Sequence, residues 1–277
     1  MDLYLKNSLK CSKQTTLSYS TSFSLGIQML QKKYQYGIYA IYGFVRIADE
    51  IVDTFHDQPQ KYLLEKFREE TWEAIERGFS TNLLIHSFQW AVNNYKIDRE
   101  LIEAFLYSME LDLTEKIYPS EMLKTYIYGS AEVVGLMCLR VFYHNQNEKY
   151  ERLIHPARKL GEAFQKVNFL RDARDDYSNK GRIYFTSIDF ENFTPESKKQ
   201  IEDDIQHDFE EAYEGIKMLS KDVRFGVYLA YRYYLELLNN IRKTHPAEML
   251  KSRTRVPDSR KIRLLLSAGL RNSLNLF

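Results

Sequence analysis

Two pairs of aspartates are the residues of this chain best placed to do chemistry. Asp49 and Asp53 lie in YGFVRIADEIVDTF, and Asp172 and Asp176 in QKVNFLRDARDDY. Both pairs have i, i+4 spacing. On a helix that rises about 1.5 Å per residue, the two carboxylates of a pair share one face, roughly 6 Å apart. Between Tyr36 and Phe55 the only charged side chains are Arg46, Asp49, Glu50 and Asp53. Carboxylates on so apolar a helix are costly unless a cation balances them. Each pair extends into a longer polar stripe. Tyr42, Arg46, Asp49 and Asp53 fall at 0, +4, +7 and +11; Gln165, Asn168, Asp172 and Asp176 fall at 0, +3, +7 and +11, with Gly161 a turn earlier. Facing each other, the stripes would ring a cavity with carboxylates and amides. Such hard oxygens suit Mg²⁺, which takes one or two carboxylates, several waters and the phosphates of a substrate. The expected metal ligands are Asp49, Asp53, Asn168, Asp172 and Asp176.

Other metals fit less well. Zinc would want a His/Cys cluster, and a di-iron bundle Glu-x-x-His pairs. The nearest approaches are Asp53-x-x-His56 and Asp204-x-x-His207. One acidic pair alone would be read as bridging to Arg or Lys on a neighbouring helix; two pairs on matching stripes favour a metal and a diphosphate. Anion contacts would come from Arg46 and from Ser20 and Ser22, which open a helix where free N–H groups can hold phosphate. Ser20 taken alone would be an ordinary N-cap. Arg171, Lys180 and Arg182 cluster around the second motif, one of them expected to pair with Asp175 or Glu162.

The elements that must position these residues are helices. Helical periodicity covers 17–31, 35–55, 61–77, 81–94, 98–113, 120–143, 149–176, 195–219, 223–243 and 258–273. Thr194–Pro195–Glu196 reads as an N-cap, a proline at the first helical position and an acidic first turn. Six prolines and eleven glycines in 277 residues are few for an all-β chain. No useful alternating strand pattern, fixed-period repeat or long linker occurs, so one all-α domain over 1–277 is expected.

Composition narrows the function classes. Hydrophobic content of 44% and charged content of 28% are those of a soluble globular protein. A net charge of +1 offers nothing to nucleic acid. The 21 tyrosines and 16 phenylalanines supply many ring faces that could stabilise a cation in an apolar cavity. Cys11 and Cys138 form no ligand spacing and read as reduced thiols, pointing to the cytoplasm. MDLYLKNSLKCSKQ lacks the apolar core of a signal peptide. Phe225–Leu238 is broken by Arg232 and Glu236, and Val133–Tyr143 by Arg140, so no membrane span is expected. Residues 191–222 hold ten acids against four lysines, and 242–263 eight Lys/Arg against two acids. Both are solvated faces first, although the basic stretch could also touch an anionic membrane surface peripherally.

These residues carry a family resemblance. The chain resembles the head-to-head prenyl synthases of the squalene/phytoene synthase family through S-T-S-F at Ser20–Phe23, Y-G-F-V-R-I-A-D-E-I-V-D at Tyr42–Asp53, Y-G-S-A-E-V-V-G-L-M-C-L at Tyr128–Leu139, Q-K-V-N-F-L-R-D-A-R-D-D at Gln165–Asp176, and G-R-I-Y-F at Gly181–Phe185, and on to R-V-P at Arg255–Pro257. The D-E-x-V-D and V-G-L-M-C-L forms look most like bacterial phytoene synthases. The resemblance implies an all-α isoprenoid synthase fold with a central cavity, prenyl diphosphate substrates, and two geranylgeranyl diphosphates joined through a cyclopropyl intermediate to phytoene in carotenoid biosynthesis. It implies Mg²⁺, for which Mn²⁺ can substitute, and no NADPH. Asp49, Asp53, Asp172 and Asp176 would hold the metal, with Asn168 and Gln165 assisting. Ser20, Ser22 and Arg46 would contact diphosphate oxygens, with Arg171 nearby. Tyr42, Tyr128, Tyr184 and Tyr234 would line the cavity, Tyr231 and Tyr233 permitting a shifted register for the last. Glu132 departs from the family pattern, where a small residue is usual; it could enter the cavity wall or turn outward. Squalene or dehydrosqualene synthesis from farnesyl diphosphate is the enzymatic rival. A non-catalytic assembly protein of the same fold would be expected to have lost motif acids. A monomer or a homodimer is expected.

Overall fold

The computed structural model describes residues 1–176, 181–184, 193–249 and 254–273. Helices dominate it: α1 (Leu3–Tyr19), α2 (Thr21–Gln28), α3 (Lys32–Asp53), α4 (Gln60–Arg77), α5 (Leu83–Tyr95), α6 (Arg99–Thr114), α7 (Ser120–Ile127), α8 (Val133–Tyr143), α9 (Asn147–Asp175), α10 (Pro195–Met218), α11 (Lys221–Lys243), α12 (Pro246–Met249) and α13 (Asp258–Ser273). The only extended pairing among the described residues is one isolated parallel bridge between Ile117 and Ile183. The all-α expectation therefore holds, and none of the described helices is long and apolar enough to cross a membrane.

Three features here differ from the sequence expectation. The helix expected over 17–31 is divided at Ser20, whose extended backbone (φ −144°, ψ 108°) ends α1 while its hydroxyl caps α2, accepting from Phe23 N at 3.2 Å. The helix before it, α1, was not expected. Its buried face is Leu5, Ser8, Leu9, Ser12 and Thr16, so small hydroxyl residues stand where periodicity looks for apolar ones. Ser12 meets Ser87 of α5, oxygen to oxygen at 2.6 Å. The expected helix 120–143 is real but interrupted: Tyr128–Glu132 forms a π-helical turn between α7 and α8. Such one-turn widenings reorient the residues beside them.

Capping follows familiar chemistry. Thr194 and Ser197 form the capping box of α10, with Pro195 at its first position. Gly78 closes α4 with φ 73°. The core beneath α3 is aromatic, with Phe44 stacked on Phe88 at 3.7 Å between ring centroids and on Phe67 at 5.1 Å. Gly161 of α9 is required by close approach. A Cβ there would lie 2.8 Å from Ala131 O and 2.9 Å from Glu132 Cα, so α9 packs directly on the backbone of the π turn. A second crossing, Gly26 of α2 against Gly226 of α11, brings two backbones together beside Leu30.

Candidate active site

A cavity of about 1020 Å³ runs between α2, α3, α8, α9, α10 and α11. Its wall divides by chemistry along the helices. The earlier parts of α3 and α9 contribute Ile38, Ile41, Val45, Leu153, Leu160 and Phe164; their last turns contribute Arg46, Asp49, Asp53, Arg171, Asp172, Asp175 and Asp176. Both polar stripes face the cavity in full: Tyr42, Arg46, Asp49 and Asp53 from one helix, Gln165, Asn168, Asp172 and Asp176 from the other. The acids stand at helix C-termini, where unpaired carbonyls already make the field negative, so each carboxylate is disfavoured by about 0.3–1 kcal/mol. The fold tolerates this by placing arginines among them.

Arg46 Nη1 lies 2.7 Å from Asp49, its Nη2 pairs with the buried Glu50, and the guanidinium lies over the Tyr19 ring at 4.4 Å. Arg171 binds Asp172 through two nitrogens, Nε at 3.0 Å and Nη2 at 2.5 Å. Burial works to lower the Arg171 guanidinium, but its contact with the Asp172 carboxylate holds it above its ordinary value. Arg182 donates to Asp53 at 2.8 Å and to the backbone oxygen of Asp112 at 2.9 Å. Of the cations around the second motif, Arg171 thus engages Asp172, while Glu162 is taken by Lys159 and Lys166 at 3.0 and 2.7 Å. Lys180 and Phe185 lie outside the described residues.

Amides and phenols complete the wall. Asn168 Oδ1 is buried without a hydrogen-bond partner, and Asn168 and Tyr234 share a side-chain hydrogen bond. Tyr234 stacks on Phe164 at 3.9 Å; it faces the cavity and Tyr231 and Tyr233 do not, which resolves the register in its favour. Burial pushes the Tyr42 phenol up to about 12, partly offset by its hydrogen bond with Ser20, and Ser20 itself lines the cavity as well as capping α2. Tyr184 lines it beside Phe169, their rings 4.0 Å apart.

Two expectations need correction, and the placement left open for Glu132 is decided. Tyr128 does not face the cavity: it begins the π turn, with Arg158 over its ring at 5.2 Å, and Tyr126, two residues earlier on the opposite side of the helix, lines the wall instead. Ser22 is also off the wall: the extended backbone at Ser20 breaks the helix there, so the two serines do not share a helical face. Glu132 is buried outside the cavity and accepts from Arg158 Nε at 2.5 Å. Sequence reasoning also missed Asp112. Phe105 and Met109 are buried, and Asp112 continues their stripe at +7; an acid ending an apolar stripe was the available signal. Burial pushes its carboxyl up to about 7, against the pull of Arg182.

Among the described residues no three His, Cys, Asp or Glu side chains converge as a ready-made metal cage. Mg²⁺ does not require one, because substrate phosphates and water complete its shell. The donor set fits that mode: two carboxylates from each helix, and an amide oxygen buried without a partner.

The whole fold superposes on a crystal structure of a dehydrosqualene synthase in complex with ligand, with a TM-score of 0.84 and 24% identity over 99% of this chain and 98% of that one. An all-α isoprenoid synthase fold is thereby defined. The squalene/phytoene synthase family model matches residues 17–260, and the chain belongs to that family of head-to-head prenyl synthases. It is 25% identical to the 4,4'-diapophytoene synthase of Staphylococcus haemolyticus, over 86% of this chain and 89% of the relative. It is 28% identical to the 15-cis-phytoene synthase of Synechococcus elongatus, over 94% and 91%.

Proposed function

We propose that this protein joins two geranylgeranyl diphosphates head to head, through a cyclopropyl (prephytoene) diphosphate, to phytoene. One observation carries the reading: acids and arginines on the last turns of α3 and α9 line one cavity together, beside an apolar and aromatic compartment. That division matches a substrate with an anionic head and a long hydrocarbon tail.

Asp49, Asp53, Asp172 and Asp176, with Asn168, would hold Mg²⁺. Bound there, the metal would supply Lewis-acid stabilisation of the leaving diphosphate. Arg46, held by Asp49 and Glu50, offers a fixed positive charge to the same oxygens; its Nε is buried without a hydrogen-bond partner. A preorganised donor of this kind is typically worth ~3–4 kcal/mol in the transition state. Breaking the C1–O bond of one substrate leaves an allylic cation, which the 2,3 double bond of the other attacks. Loss of a C1 proton closes the cyclopropane. A second C1–O cleavage, rearrangement and proton loss give phytoene, so two diphosphates and two protons depart and no reductant is consumed. Tyr42, Phe164 and Tyr234 offer ring faces to the cationic carbons, each contact worth about 2 kcal/mol when dry. With Tyr42 held neutral, a departing diphosphate oxygen is the base.

The diapophytoene and dehydrosqualene synthases among the relatives support a second reading, the same chemistry on farnesyl diphosphate. Incubation with Mg²⁺ and either substrate, followed by mass spectrometry of the hydrocarbon, separates the two. A forty-carbon product is expected, a thirty-carbon product establishes the second reading, and no hydrocarbon from either overturns both. Peripheral contact with a membrane, through the basic sequence stretch 242–263, belongs to the same proposal, since substrate and product are lipids.

A further inference from the structure

Asp112 stands outside the cavity wall but touches three of the groups that form or brace its charged end. Its Oδ1 accepts from the Tyr118 hydroxyl at 3.1 Å, and its Oδ2 from the Tyr126 hydroxyl at 2.9 Å. Arg182 Nη1 lies 3.3 Å from Oδ1, and Nη2 donates to the Asp112 backbone oxygen at 2.9 Å. The same Nη1 donates to Asp53 at 2.8 Å. The Arg182 guanidinium is thus gripped by side chain and main chain of Asp112 while it presents one N–H to the first acidic motif. The side chains of Asp112 and Arg182 are 3% and 7% exposed.

The segment that carries Arg182 is fastened to the same place. Arg182 N donates to Asp176 O at 2.8 Å, Ile183 N to Lys116 O at 2.8 Å, and Tyr118 N to Ile183 O at 3.0 Å. The rings of Tyr118, Tyr126, Phe169 and Tyr184 pack around the pair. A buried ion pair of this kind is weak evidence for stability, because apolar residues of similar volume fill such space as well or better. Position is the better explanation. Tyr126, Arg182 and Tyr184 all line the cavity, and Asp112 does not.

We propose that Asp112 is a positioning residue for diphosphate binding: it holds the Arg182 guanidinium and the Tyr126 phenol at the cavity rim and shares the charge of Arg182, leaving Asp53 able to turn to a metal-bound diphosphate. With the Asp112 charge removed, Arg182 relies more heavily on Asp53 and competes for that carboxylate with Mg²⁺. The proposal rests on the reading that the rim receives diphosphate.

Titration calorimetry with inorganic pyrophosphate and Mg²⁺ tests it without turnover. Asp112→Asn keeps the shape of the side chain and one acceptor oxygen, replaces the other oxygen by an NH2 donor and loses the charge. It is expected to raise the pyrophosphate Kd about tenfold or more, with circular dichroism and melting temperature close to wild type, because hydrogen bonds to charged groups carry about 1.5–3 kcal/mol. In an Arg182→Gln background the same substitution is expected to add less than about twofold, since both changes remove one interaction. An unchanged Kd for Asp112→Asn, or full additivity with Arg182→Gln, overturns the proposal. Should Asp112→Asn fold poorly, Tyr118→Phe decides: it removes one hydrogen bond to the same carboxylate and no cavity atom. A Kd raised about threefold supports the proposal and a wild-type Kd overturns it. No pyrophosphate binding by the wild-type protein overturns the diphosphate reading itself, and this proposal with it.

Discussion

Asp49 and Asp172 carry charge where the helices that bear them disfavour it, and that placement makes them the most informative side chains to remove. Asp49→Ala and Asp172→Ala are each expected to reduce hydrocarbon formation by at least 10²–10³-fold, the scale of losing one preorganised electrostatic group. Far-ultraviolet circular dichroism should stay at the wild-type level. Retained turnover in either variant would remove that residue from the metal assignment. At this scale the sequence was most legible along the two stripes, because eleven residues of regular helix fix which side chains share a face. All eight stripe residues reach the cavity. Legibility failed wherever the helix was not regular. The π turn at Tyr128–Glu132 and the break at Ser20 decided the fates of Tyr128 and Ser22, and neither irregularity has a periodic signature. The two stripes also differ, one bringing its own arginine and the other its amides. That asymmetry suits two diphosphates handled differently in one cavity.

The contact of α9 with the π turn is the element-scale feature on which the second stripe depends. Gly161 precedes Gln165 and Asn168 by one and two turns. Replacing a mid-helix glycine by alanine ordinarily gains up to about 1 kcal/mol of helix propensity. Here the added Cβ would lie 2.8 Å from a backbone oxygen, and backbone does not move aside cheaply. Overpacking of this kind costs about 1–3 kcal/mol, so the clash outweighs the propensity. Gly161→Ala is expected to lower the melting temperature and to reduce activity by shifting Asn168 and Asp172. A variant that melts above wild type would show that the contact is slack. Helix α1 is the converse lesson. Its Ser8, Ser12 and Thr16 are fully buried; Ser8 and Thr16 donate back to carbonyls of their own helix and Ser12 meets Ser87 of α5, so the buried face is built of small hydroxyl residues that a hydrophobic pattern cannot register.

For the molecule as a whole, the gathered carboxylates and arginines should behave as a ligand-dependent brace. A ligand that binds only the folded protein at about 100 times its Kd stabilises it by about 2.7 kcal/mol. For a chain of this size that corresponds to a rise of roughly 5–10 °C in melting temperature. Mg²⁺ and pyrophosphate together are expected to produce such a shift, and Asp172→Ala to abolish it; thermal melts with each component alone and combined provide the check. Chain length of the product was not legible from the sequence, because it would depend on the depth of a cavity whose lining, Gly26, Leu30, Leu139, Phe142 and Gly226 included, comes from several helices. Depth is a property of several helices together and belongs to none of their individual patterns.

Under the proposed reaction, the separation of the cavity into a charged end and an apolar remainder would also govern how a cycle finishes. Once both diphosphates are gone, the hydrocarbon offers the arginines and aspartates nothing to grip or to repel. It is held by apolar contacts alone and has no affinity for the water outside. Departure is then a partition between two oily phases, and steady turnover follows the acceptor phase available. A rapid first turnover followed by a slower steady rate is expected, with detergent micelles or lipid vesicles raising the steady rate and leaving the initial burst unchanged. Equal acceleration of both phases would instead place the slow step in the chemistry.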